Sequence, residues 1–193
     1  MYYMKTDLNS IPTASRVSIK RRWIIGILLT AILATMMTIF LLSAESRIES
    51  GDRSRGVTML IARILYPDFD DMPYGEQMQI VNGMHRTVRK GAHFSEYALL
   101  GGLVVTALYV AFSSRVRSWY HRAGFMTLAA LFGLAYAASD ELHQKFVQRG
   151  ASVRDVFIDF VGVLFGIALA TGISCLVTRN RARKNTSKGG WAS

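Results

Sequence analysis

The chain has 193 residues, 51% of them hydrophobic, a mean hydropathy of +0.24 and a formal net charge of +10. That is one domain's worth of chain, and its charges lie between long apolar blocks. The pattern excludes a soluble nucleic-acid-binding domain, because no basic, aromatic-interleaved domain stands apart from those blocks, and the single cysteine, Cys175, excludes an internal disulfide.

Residues 1–22 form a tail with Lys5, Arg16, Lys20, Arg21 and Arg22 against Asp7. Residues 23–44 (WIIGILLTAILATMMTIFLLSA) then carry no charge. A bilayer crossing takes ~20 apolar residues, so this is a first span. Its apolar core exceeds the ~7–15 residues of a signal peptide, and Ser43-Ala44 is a poor cleavage site. A retained helix is expected.

The connection 45–90 is not a bare linker. Val57, Leu60, Ile61, Ile64 and Leu65 repeat at helical spacing. The stripe is too short to span, so the reading is an amphipathic helix on the outer surface, ended at Pro67. The acidic stretch DFDDMPYG is turn-rich. Glu76–Arg89 is expected to be helical and to run into a second span, 93–112, which carries His93 and Glu96 at its start.

The third span, 123–139, runs straight into SDELHQKFVQRG, and the fourth, 156–178, carries only Asp159. No proline interrupts any of the four, so none should be kinked by proline. Spans in a bilayer must be helices or closed barrels. These runs are too long and too uniformly apolar for barrel strands. The fold class is therefore all-α, a polytopic membrane domain over 23–178 between the tails 1–22 and 179–193.

Charge gives the orientation. The two tails and the short loop 113–122 together hold 13 basic residues and one acid; everything else holds 10 basic residues and 12 acids. By the positive-inside rule both termini and that loop face the cytoplasm, in a multi-pass protein of the cytoplasmic membrane. RKGAHFSEY (89–97), SDELHQ (139–144) and SVRDVFID (152–159) then meet at the outer edge. Arg89, His93 and Glu96 share a helical face with Tyr97 beside it; Asp140 shares one with His143 and Gln144; Asp155, Asp159, Gly162 and Gly166 share another. Asp159 lies about one turn, ~5 Å, inside its apolar boundary and should face the bundle. Gly162 and Gly166 form a small-xxx-small pair suited to close helix packing, as Gly101 and Gly102 also are.

RKGAHFSEY, then DELHQKFVQRGASVRD followed by IDFVG, resembles the VanZ-like family of small bacterial membrane proteins, over about residues 85–175. The matching positions are Arg89, Lys90, His93, Phe94, Glu96, Tyr97, Asp140, Glu141, His143, Gln144, Phe146, Arg149, Ser152, Asp155, Asp159 and Gly162. The family takes its name from a protein linked to low-level resistance to teicoplanin, a lipoglycopeptide. The resemblance implies an integral membrane protein acting on the cell envelope; it implies no reaction.

Three readings of the polar cluster stand open. As a scaffold, its five acids (Glu96, Asp140, Glu141, Asp155, Asp159) and five bases (Arg89, Lys90, Lys145, Arg149, Arg154) would satisfy one another. As a binding site, Arg89, Lys90 and Arg149 would hold an anionic lipid or a lipid-linked cell-wall precursor, with Phe94, Tyr97 and Phe146 as apolar walls. As an enzyme, His93 and His143 with Glu96, Asp140, Asp155 and Asp159 would modify such a molecule, as acid–base pairs or by binding a divalent metal. No HExxH-like spacing is present, and Ser139 and Ser152 lack a nucleophile elbow. No catalytic residue, metal or cofactor is therefore assigned. Ion transport is disfavoured, because the ionisable groups in the spans all lie at the outer end. The expected partner is the lipid bilayer, with no nucleic acid; the sequence sets no oligomeric state.

Overall fold

The computed structural model describes residues 13–44, 47–113, 118–146 and 152–189. All five of its long elements are α-helices: α1 (Thr13–Ala44), α2 (Arg47–Leu65), α3 (Tyr74–Ala111), α4 (Trp119–Phe146) and α5 (Val153–Gly189). A 3-10 turn, Phe69–Asp71, joins α2 to α3. The all-α polytopic reading holds. Four segments are long and apolar enough to cross a membrane: Ile19–Ala44, Tyr74–Ala111, Trp119–Phe146 and Val153–Asn180.

Local sequence sets the ends. Pro67 lacks the N–H that would continue α2, and Pro73, extended at φ −54° and ψ 141°, is the N-cap of α3. α3 is one uninterrupted helix of 38 residues. At 1.5 Å per residue it is ~57 Å long, nearly twice the ~30 Å hydrocarbon thickness. Its first half therefore stands outside the apolar layer. There it packs on α2 through Ala62, Phe69 and Val81, with Met59, Met78 and Met84 around them.

The large apolar stripe of α2 does not make that contact. Val57, Leu60, Ile64 and Leu65 are exposed, whereas Thr58 and Ala62 are the buried face of α2. The small residues let α2 approach α3, and the large apolar residues are left facing outward, where a bilayer surface would cover them.

Within the bundle α3 is central, packing on α1, α4 and, most extensively, α5. The core holds Ile39, Tyr97, Leu100, Val105, Ala129, Ala137, Val163 and Ile167. Glycine lets α3 and α5 touch. A Cβ on Gly162 would lie 2.5 Å from the Phe94 carbonyl oxygen, one on Gly101 2.5 Å from that of Val163, and one on Gly166 would overlap the Ala98 carbonyl oxygen. Leu33, Met37, Leu131, Phe165, Leu169 and Ile173 remain exposed along the outside of the bundle. In lipid such a surface carries no hydrophobic penalty.

Polar contacts mark the two ends. At one end Arg21 Nη1 reaches Ser113 Oγ at 3.5 Å, and Arg122 Nη1 donates to Cys175 Sγ at 2.9 Å. At the other, Ser43 at the end of α1 meets Asp140 near the end of α4.

Candidate functional site

The Ser43 end holds a small cleft between α3, α4 and α5. It is lined by Arg89, Lys90, His93, Glu141, Gln144, Asp155, Ile158 and Asp159, and its interior volume is about 20 Å³. A water needs ~10–15 Å³ measured this way. The cleft therefore has room for one water-sized or ion-sized species, not a whole head group.

α3 supplies Arg89, Lys90 and His93, one turn or less apart, at the level where that helix leaves the apolar layer. Lys90 Nζ pairs with Asp155 Oδ1 at 3.1 Å, joining α3 to the first turn of α5. The Arg89 guanidinium also lines the cleft and makes no hydrogen bond or ion pair among the described residues.

α4 supplies the deeper acids. Asp140 and Glu141 are each 5% exposed. Asp140 Oδ2 accepts from Ser43 Oγ at 2.9 Å and from Gln144 Nε2 at 3.1 Å, and the same Gln144 nitrogen lies 3.2 Å from Ser43 Oγ. Glu141 accepts the backbone N–H of Ser152. Ser152 is the N-cap of α5: its carbonyl accepts from Asp155 N at 2.8 Å and its hydroxyl from Arg154 N at 3.3 Å. Its role in the structure is to start the helix.

α5 supplies Asp159, 3% exposed on the cleft wall. One ligand-type atom each from His93, Asp140 and Asp159 lies within 4.8 Å of the others. Tyr97, fully buried, has Asp140 and Asp159 as charge neighbours.

Some expected members are elsewhere. His143 leaves the cleft and stacks on Phe40 of α1, ring centroids 4.7 Å apart. Glu96 is half-buried in the field of Asp140 but does not line the cleft. Phe94 packs on Phe165 and Phe146 is 80% exposed, so neither forms a wall; the apolar contribution is Ile158. Lys145 and Arg154 are exposed, which breaks the five-against-five balance. Both extend from helix ends, where a long side chain reaches water at little cost. Arg149 lies outside the described residues.

Two residues were missed. Ser43 and Tyr136 tie α1 to α4, the latter by donating to the Met36 carbonyl at 2.6 Å. Each is a polar group inside an apolar run, and that isolation was the available signal.

The family model of VanZ/LLP1 matches residues 27–176, extending through the first span as well as the motif-bearing helices. No curated protein and no solved structure matches the chain. The match covers more than half of the sequence, and with four membrane-crossing helices and the polar cleft at one end of them, the chain belongs to the VanZ-like family.

Proposed function

We propose that this protein sits in the cytoplasmic membrane with both termini in the cytoplasm and binds an anionic group of an envelope component at its outer face. That component is an anionic lipid or a lipid-linked cell-wall precursor, and its sequestration lowers susceptibility to lipoglycopeptides such as teicoplanin. The observation that carries the reading is the Arg89 guanidinium. It lines a cleft that also holds three acids and makes no hydrogen bond or ion pair among the described residues, with Glu141 as its charge neighbour. Guanidinium matches phosphate and carboxylate with paired hydrogen bonds. The cleft is too small to enclose a head group, so the ligand rests on the rim. Lys90 is the weaker candidate, because Asp155 already occupies it.

The test compares purified chain and its Arg89→Ala variant for retention of anionic against zwitterionic phospholipid. The variant should lose about tenfold in anionic-lipid affinity, or ~1.4 kcal/mol, with unchanged melting. Cells carrying it should lose any lipoglycopeptide tolerance conferred by the wild type. Equal retention of both lipid classes by the wild type would end this reading.

A second reading has its own observation. The closeness of His93 to two buried carboxylates favours a membrane-embedded enzyme acting on the same class of molecule.

A further inference from the structure

We infer that His93, Asp140 and Asp159 form a site for one divalent transition-metal cation, of the Mn²⁺ or Zn²⁺ type, at the cleft wall that His93 and Asp159 line.

The first support is geometry. Three helices, α3, α4 and α5, each place one ligand-type atom within 4.8 Å of the other two. Nitrogen and oxygen ligands sit ~2.0–2.2 Å from zinc, so ligands on a shared ion lie roughly 3–4 Å apart. With separations of 4.8 Å at most, the set is close to that spacing already.

The second is charge. Neither Asp140 nor Asp159 pairs with a lysine or arginine among the described residues, although both are almost fully buried. Two buried carboxylates with no lysine or arginine beside them among the described residues are costly. One dication offsets both.

Support around the ligands is the third. Ser43 and Gln144 both donate to Asp140 Oδ2, which orients the carboxylate and leaves its other oxygen for a ligand. Hydrogen bonds of this kind hold metal ligands in place. The fourth is a neighbouring hydroxyl. The hydroxyl of Tyr97 is buried beside Asp140 and Asp159 and makes no well-formed hydrogen bond, the Asp140 carboxylate being the acceptor it approaches. A water on the cation would supply one. The cleft has room for one ion-sized or water-sized species.

Ligand chemistry selects the ion. One imidazole with two carboxylates suits Mn²⁺ and Zn²⁺; soft thiolate-seeking ions lack a sulfur ligand here, and Mg²⁺ and Ca²⁺ prefer all-oxygen sets. Three protein ligands leave a position open. Arg89 lines the same cleft as His93 and Asp159, so a phosphate held by Arg89 would lie near a cation bound there. This last step rests on the proposed anionic ligand; the cation site does not.

The experiment uses full-length chain in detergent, stripped with a chelator and dialysed against Mn²⁺ or Zn²⁺. Bound metal is counted by elemental analysis, and Mn²⁺ also by its electron paramagnetic resonance signal. Wild type should bind close to one ion per chain. Asp159→Asn and His93→Gln should each bind at least tenfold more weakly, while Arg89→Ala binds normally even if it loses lipid. If Asp159→Asn does not fold, His93→Gln and the metal-dependent rise in wild-type melting temperature carry the test. Stripped wild type that takes up neither ion, or takes it up no better than His93→Gln, overturns the site.

Discussion

Asp140 shows how one residue depends on its donors. Its Oδ2 receives Ser43 from another helix and Gln144 from its own. A hydrogen bond to a charged group contributes ~1.5–3 kcal/mol in water-soluble proteins. Interhelical bonds in membranes average ~0.6 kcal/mol, because the separated helices find other partners. The membrane figure should govern here, since Gln144 stays behind to serve Asp140. Ser43→Ala is therefore expected to cost about 0.5–1.5 kcal/mol, and Ser43→Thr much less. Thermal unfolding of both variants in one detergent reads the difference. Equal melting of Ser43→Ala and wild type would show that Gln144 suffices.

At the scale of elements, the α3–α5 contact is made by missing side chains. A methyl on Gly166 would overlap the Ala98 carbonyl, which belongs to a rigid helix backbone and cannot swing aside; a methyl on Gly172, on the same helix, meets nothing within 4 Å. Gly166→Ala should force the helices apart and cost about 3 kcal/mol, at the upper end for overpacking. Gly172→Ala should be neutral or slightly stabilising, since alanine is the better helix former. Membrane abundance and melting temperature of the two variants give the comparison. The helices themselves were legible in the sequence, because apolar runs without proline leave the backbone no alternative in a bilayer. Inter-helix register was legible only in part. Arg89, His93 and Glu96 follow one face by spacing, yet of the three only Arg89 and His93 line the cleft. His143 follows Asp140 by three residues and still turns toward Phe40. Helical spacing says which residues share a stripe; it does not say which neighbour the stripe's edge will meet. Ser43 had no stripe at all, so periodicity passed it by.

For the whole molecule, the charge asymmetry makes a directional prediction. Arg21, Arg122 and Arg179 stand at the end opposite the cleft, and the acids of the 3-10 turn stand beyond the cleft. In a chain whose exposed Cys175 is first changed to alanine, a new cysteine at Ser54 should react with a membrane-impermeant thiol reagent in intact cells. One at Ser113 should react only after the cells are opened. Labelling of Ser113→Cys in intact cells would reverse the orientation and put the cleft in the cytoplasm.

Synthesis adds an order in time. Ser43 and Asp140 are 97 residues apart, whereas Glu141 and the Ser152 that it caps are separated by 11. At ~5–20 residues per second, the first helix is already in place for roughly 5–20 s when Asp140 emerges, and the fifth helix has yet to be made. The first helix contributes no lining residue to the cleft. It is nonetheless the host that receives the newborn carboxylate, and holds it until α5 arrives to close the floor around it.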